Sequence, residues 1–576
     1  MHRKPPRCLL SPLKTQFDKF KLTVFSLSHC LFGAVRFSFF NLHNLHDRMN
    51  NNCIADTMGV LSMPFSSKHN ESSGGKTVKE PNNSLDGLTV EQSLDKNIAT
   101  LRNLFADVDV LVVRTIENDE DTNLKFCIVY LEGMVDDIVV NDNIVKPLMI
   151  TKQTQNNEIS AEMLIHHVVS VNDARKMTQF SDIVESITCG YTILFADGQQ
   201  EAVTLSTQGF ETRSVTEPEN EKIINGPREG FTENAIKNLS MIVRKLHTNE
   251  LKIKYLTMGE ISKTRVCVCY IDSVVNKGIL QELYKRLNNI KMDAVLETNY
   301  LVEQIADDPL SLFRSSGVTE RPDVVAGKLL EGRIAVFVDG SPMVMTVPYL
   351  FIENFQSSED YYLSFYYTSF TRLLRIIGFF LTITVAGFYI AVVAYDQEML
   401  PTPLLISIAA ERANVPLPAA VEAFIMLLVF DLLRETGVRM PTGIGQTLSI
   451  VGALVIGQAA VDAKLVAAPM IIVVGVTGIT SLLVPKLESS AIYLRFFLLI
   501  ISTSFGLFGF ILGVSSLLIY VLNLTSMGIP QFTTLDSLKY QELKDVAIRG
   551  PWKDMVTRSL KLTKNWKRKK THSGGR

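Results

Sequence analysis

The sequence predicts an α/β soluble region of two similar small subdomains followed by an all-α multi-pass membrane domain. Hydrophobicity is unevenly placed: residues 86–375 read as ordinary soluble sequence, whereas 376–525 contain several long uncharged runs. The soluble half also repeats itself. FCIVYLEGMVD from Phe126 resembles VCVCYIDSVVN from Val266, and GYTILFADG from Gly190 resembles GRIAVFVDG from Gly332. Both pairs lie about 140 residues apart, as an internal duplication requires.

The 576 residues suffice for several domains, and a formal net charge of −2 gives no reason to expect nucleic acid as a partner. Residues 1–85 read as a disordered or spurious N-terminal extension. KFKLTVFSLSHCLFGAV places basic residues before an apolar stretch, as a signal peptide does, but Arg36 interrupts it and no small-residue cleavage site follows. Met49, Met58 and Met63 are alternative starts, and 58–86 is rich in Ser, Asn, Gly and Lys. SSGGKT ends like a phosphate-binding loop. However, Asn70 stands where that loop needs its first glycine and no strand precedes it, which excludes the nucleotide reading.

The two subdomains are expected over 86–230 and 231–360. Each opens on a β-rich apolar run and continues into a helical stretch. In NKGILQELYKRLNNI, Ile279, Leu283, Leu287 and Ile290 fall at helical spacing. Each then closes on a strand, an Asp-Gly turn (Asp197-Gly198, Asp339-Gly340) and a second strand, a hairpin signal. Of seven cysteines none forms a C-x-x-C pair; Cys267 and Cys269 are two apart on one strand face and are expected to be buried thiols rather than metal ligands. His166 and His167 are adjacent and cannot share a face. With no G-x-S-x-G, no H-E-x-x-H and no Gly-rich strand-to-helix loop, no catalytic residue, cofactor or metal is expected, and a scaffold role is preferred to an enzyme.

The membrane domain is expected over 361–525, with four to five membrane helices plus a charged amphipathic helix at 417–437. Aromatics crowd 361–370, Arg372 and Arg375 follow, and 376–395 carries no charge, which marks a first crossing with the α/β region on the cytoplasmic side. Two more apolar spans, 443–461 and 465–484, are separated by a short turn holding Asp462 and Lys464. In the first, Gly445, Ser449, Ala453 and Gly457 form a small-residue stripe suited to close helix packing or a pore seam. The run 496–525 is longer than one flat crossing needs, so a tilted or a broken helix fits; Ser502, Gly506, Gly509, Gly513 and Ser516 line one seam of it. The tail, 526–576, ends in the basic KLTKNWKRKK and is expected to be cytoplasmic.

The stretch AVEAFIMLLVFDLLRETG, 420–437, decides the topology. Asn414 is expected to cap it, Pro416 and Pro418 suit its start, and Gly437 its end. Glu422 and Asp431 point in opposite directions, while Asp431, Arg434 and Glu435 cluster on one side. Glu422 has no basic residue one turn away. A cytoplasmic tail requires an even number of crossings. The four charge-free runs supply them, so a non-spanning or re-entrant placement is favoured here.

Three long stretches carry a family resemblance: RPDVVAGKLLEGRIAVFVDGSPMVMTVPYLFIENFQSSEDYY from Arg321, PLPAAVEAFIMLLVFDLLRETGVRMPTGIGQTLSIVGALVIGQAAV from Pro416, and IRGPWKDM from Ile548. Over roughly 90–560 the chain resembles the A subunit of the GerA-type spore germinant receptors. The resemblance implies a spore inner membrane protein working with a transporter-like B subunit that senses the nutrient and a C subunit that is a lipoprotein. It further implies a homo-oligomeric ring, five copies being the proposed number, that forms a nutrient-gated ion channel. In such a ring Glu422, Asp431 and Glu435 are the ion-pathway candidates, Glu422 foremost because it has no basic residue one turn away, with local pairing as the alternative for each. Two other functions stay open: an A-like membrane channel that amplifies germination with other partners, and a secondary transporter, which expects inverted halves and helices broken mid-membrane.

Overall fold

In a computed structural model, the described residues are 87–118, 124–151, 161–171, 173–209, 221–439, 455–532, 545–555, 557–559 and 562–565, with the single positions 218 and 452. The expectations for 1–85, including Cys8, Cys30 and Cys53, lie outside them, as do Gly445, Ser449 and Ala453.

The α/β region contains two five-stranded antiparallel sheets. The first is built from β1 (Leu111–Glu117), β2 (Lys125–Leu131), β3 (Ala174–Met177), β4 (Thr192–Ala196) and β5 (Ala202–Leu205), in the order β1-β2-β4-β5-β3. The second comprises β6 (Leu251–Met258), β7 (Thr264–Ile271), β8 (Gly317–Thr319), β9 (Ile334–Val338) and β10 (Val344–Val347), in the matching order β6-β7-β9-β10-β8. Equivalent residues hold equivalent places: Cys127 pairs with Phe195, and Cys267 with Phe337.

Both Asp-Gly positions fall between antiparallel strands, β4 and β5 or β9 and β10. Gly198 and Gly340 take φ of +82° and +91°, which glycine adopts without a Cβ penalty. The aspartates have a second task. Asp197 Oδ1 accepts from Leu94 N, at the start of α1 (Leu94–Leu104), at 3.1 Å, and Asp339 Oδ1 accepts from Ala235 N, at the start of α3 (Ala235–Lys245), also at 3.1 Å. Between these helices lies α2 (Phe180–Thr188).

The central strands read as continuous apolar runs because both faces of each sheet are buried. Cys127, Val129, Cys267, Cys269 and Phe337 point into one core shared by the two copies and by α1, α2 and α3. Val266, Val268 and Val336 point the other way, onto Leu283 and Leu287 of α4 (Lys277–Asn289). The four described cysteines are free, and burial pushes the thiols of Cys127 and Cys267 up to about 12, so both stay protonated. The copies also interlock. Asp109 N donates to Ile253 O (2.8 Å) and Ile253 N to Asp107 O (3.1 Å), adding a piece of the first copy to the edge of the second sheet.

In the second copy α5 (Pro322–Leu330) lies between β8 and β9, and β10 leads through short 3-10 turns into the helical half, which comprises α6 (Phe365–Ala394), α7 (Thr402–Arg412), α8 (Ala419–Arg439), α9 (Ala468–Ser481) and α10 (Glu488–Leu522). The aromatic run 365–370 is part of α6 rather than a lead-in to it. Asn414 does not cap α8; the first amides, Val421 N and Glu422 N, donate to Pro418 O at 2.9 and 3.1 Å. Among the described residues two stretches are long and apolar enough to cross a membrane, Phe365–Ala394 and Pro485–Leu522. The second is not one rod. Gly506 has φ +61° and ψ −143°, and beyond it the chain folds back: a Cβ on Gly513 would touch Leu498, and one on Gly509 would touch Ile501 O. Both open ends of this hairpin reach 311–313, where Ser490 Oγ donates to Leu312 O and the Tyr520 hydroxyl bonds Ser311 Oγ at 3.1 Å.

Candidate functional site

The closed end of the α10 hairpin lies against the end of α6. The Tyr395 ring would be 2.8 Å from a Cβ on Gly506, and Asp396 Oδ2 accepts from Leu507 N at 3.3 Å. Higher up, a Cβ on Gly387 would lie 3.1 Å from Ser502 Oγ, so the small residues on both helices permit close approach. Ser502, Gly506, Gly509 and Gly513 are buried on this seam, whereas Ser516 is half-buried. Gly457, on the helical stretch before α9, would place a Cβ 3.7 Å from Ile471.

α8 runs against this pair in the opposite sense. Its start lies beside Ala386 and Ile390 of α6, and its far portion reaches Glu488, the first residue of α10. Its five charged residues all find partners. Glu422 is 1% exposed; its Oε2 accepts from Ala467 N at 3.1 Å and its Oε1 lies 3.7 Å from Arg412 Nη2 of α7. Asp431 pairs with Arg495, which is fully buried on α10, and with Arg434 at 3.4 Å. Arg434 in turn reaches Glu488 at 2.8 Å. Glu435 is exposed and pairs with Arg439 at 2.7 Å. The three candidate acids therefore do not share one site: Glu422 and the Asp431 cluster lie at opposite ends of α8, and Glu435 faces outward.

Arg412, Arg495 and Glu488 complete these pairs and are not among the residues singled out from sequence. Arg412 is ten residues before Glu422, beyond local helical reach, and Arg495 immediately precedes the charge-free run that begins at 496.

A second concentration of buried charge joins the α/β region to α6. Asp360 receives Arg372 Nε at 2.8 Å and Arg375 Nη1 at 2.9 Å, and Arg372 also bonds Asp545 at 2.7 Å. Glu353 pairs with Arg333 (2.6 Å) and Lys328 (2.9 Å). Burial pushes the Glu353 carboxyl up, but the two cations and the Leu350 amide outweigh it and hold it below its ordinary value. Arg321, 1% exposed, donates to Pro227 O at 2.7 Å and to Asp323 at 2.9 Å. Among the described residues no group of three or more His, Cys, Asp or Glu side chains is placed to hold a metal.

A family model described as Bacillus/Clostridium GerA spore germination protein matches residues 99–560. The chain belongs to the GerA family of spore germination proteins. It is 37% identical over 465 residues to spore germination protein KA of Bacillus subtilis (strain 168), covering 80% of this chain and 85% of that protein. It is 39% identical over 471 residues to the uncharacterized membrane protein YfkQ of the same strain, covering 81% and 91%. With spore germination protein GerLA of Bacillus cereus it shares 36% identity over 432 residues, covering 74% and 87%. Among solved structures, the N-terminal domain of the A subunit of the Bacillus megaterium spore germinant receptor GerK3 is 28% identical, with a TM-score of 0.37, covering 46% of this chain and 98% of that one. In this GerA-family chain the three stretches that carry the resemblance hold part of the buried charge: Arg321, Arg333, Glu353 and Asp360 lie in the first, Glu422 in the second and Arg549 in the third, while Arg372 and Arg495 lie outside them.

Proposed function

We propose that the chain is the A subunit of a germinant receptor in the spore inner membrane, assembling as a homo-oligomeric nutrient-gated ion channel alongside a transporter-like B subunit and a lipoprotein C subunit. The observation that carries this is the inside-out polarity of the helical half. Its interior holds the buried pairs of Glu422 and Asp431, while Phe380, Phe388, Phe424, Leu432, Phe508 and Ile519 are exposed on its outside. Water does not tolerate so extensive an apolar shell, whereas lipid does, and intramembrane charge is retained where it is paired and functional.

In this reading α6, α8, α9, both limbs of α10 and the apolar run 443–461 expected from the sequence cross the bilayer. Each α10 limb is roughly 25 Å long at 1.5 Å per residue, close to the hydrocarbon thickness. The hairpin contributes two crossings rather than one, so α8 can cross and the number stays even. The α/β subdomains, 86–230 and 231–360, and the tail, 526–576, then share the cytoplasmic side of the membrane part, 361–525.

Glu422 and Asp431, buried and paired, hold α8 to α7 and α10. Glu435, exposed, is the acid that neighbouring copies can gather into a ring. The hairpin turn lies at the far end of the bundle by Asp396, not midway as a transporter's broken helices would. The test is nutrient-triggered potassium release from spores carrying Glu435→Gln, Glu422→Gln or Asp431→Asn. We expect Glu435→Gln to slow release several-fold at normal protein level, and the other two to lower the protein level. Normal release and level in all three would sink the assignment.

A further inference from the structure

The tail segment 545–555 folds back onto the start of α6. Tyr361 Oη donates to Asp545 at 2.8 Å, and Arg549 Nη1 donates to Asp360 O (2.9 Å) and Leu363 O (2.8 Å). The Arg549 guanidinium lies 5.7 Å from the Tyr361 ring centroid and 5.2 Å from that of Trp552. Arg549, 2% exposed, thus pins the segment to the protein.

What this clamp presents outward is apolar. Ile548 is 68% exposed and Trp552 59%, with Lys553 exposed beside them. The first turns of α6, onto which the segment packs, expose Tyr366, Tyr367 and Phe370. Arg549 N donates to Ser369 Oγ at 3.1 Å, so two parts of the chain about 180 residues apart bring exposed rings to the first turns of α6, just before the uncharged run from 376. Amphipathic rings gather at the boundary between headgroups and acyl chains, and a lysine there meets anionic headgroups.

We infer that Ile548, Trp552 and Lys553 form an interfacial membrane anchor, docking the tail into the headgroup layer of the leaflet that α6 enters. The occupant is lipid, because the patch continues the aromatic band of α6 itself and carries a cation. The inference rests on the membrane placement of α6, and the test separates the two.

The chain has two tryptophans, so Trp566→Phe leaves Trp552 as sole reporter. The full chain is reconstituted into phosphatidylcholine–phosphatidylglycerol vesicles carrying bromine at shallow or deep acyl positions. A Phe380→Trp variant in a Trp552→Phe, Trp566→Phe background reports on α6. The anchor predicts blue-shifted Trp552 emission and quenching at least twofold stronger by shallow than by deep bromine, with position 380 quenched as well. Unshifted and unquenched Trp552 emission beside a quenched position 380 overturns the anchor and leaves the membrane placement standing. Blue-shifted emission that no bromine quenches means that protein covers the ring, and also overturns it. Quenching at neither position overturns both.

Discussion

The two copies of the α/β unit differ less in fold than in what they are attached to. Strand order and register agree, and so does a small detail. Asn97 and Asn238, both buried, each bridge the loop before the first helix, accepting from Glu91 N or Thr232 N and donating back to the same residue's carbonyl. The copies diverge at their middle helix. In the second copy α4 is regular and Asn276 caps it. In the first, the matching stretch 137–150 stays helical but widens into a π-helical turn at Asn141–Val145. Pro147 has no amide to donate and NDN is a weak helix former, so regular α-helical bonding is disfavoured there. The second copy alone is followed directly by α6, and it receives the tail, where Lys564 N donates to Val274 O at 3.0 Å. Duplication supplied two equivalent cores, and the later chain committed one of them to the helical half.

That comparison can be broken most sharply at Glu353. Glu353→Ala leaves Arg333 buried beside a lost partner and should cost about 3–5 kcal/mol, read as a lower unfolding midpoint of the purified protein. A loss below 1 kcal/mol would mean that this joint carries little of the coupling. Next come the two asparagines. Asn97→Ala and Asn238→Ala each remove two part-buried hydrogen bonds to a loop backbone and should cost about 1 kcal/mol, by similar amounts. Unequal losses would show that the copies are not energetically equivalent.

The hairpin aspartates should matter less, at about 1 kcal/mol each. Hydrogen exchange should show Asp197→Ala loosening α1 alone and Asp339→Ala loosening α3 alone. If either substitution loosens both helices, the shared core couples them more tightly than the capping bonds suggest. The smallest effect is one of pH. Because Glu353 has a folded value below its ordinary one, its contribution is present above the unfolded value of about 4.3 and is lost as pH falls through the lowered value. Acid titration of stability should therefore be shallower below pH ~4 in Glu353→Gln than in the parent chain.

The duplication, the Asp-Gly hairpins, the helix at 277–289 and the inward Cys267 and Cys269 were legible because they follow from periodicity and turn stereochemistry, which act within a few residues. The short edge strands β3 and β8 were not, since ARKM and GVT owe their state to the neighbours that pair with them. The same limit governs the candidate site. Glu422, Asp431 and Glu435 could be picked out as charges in an apolar stretch, but their fates could not. Asp431 meets Arg495 across 64 residues, and Glu422 meets Arg412 only because α7 folds back toward α8. By itself the sequence determined the central strands, the Asp-Gly turns and the apolar runs, and which family they belong to. Tertiary structure decided that the last apolar run turns back at Gly506 and that the tail returns to α6. An ion pair or a glycine reversal gains its energy from groups that only packing brings together.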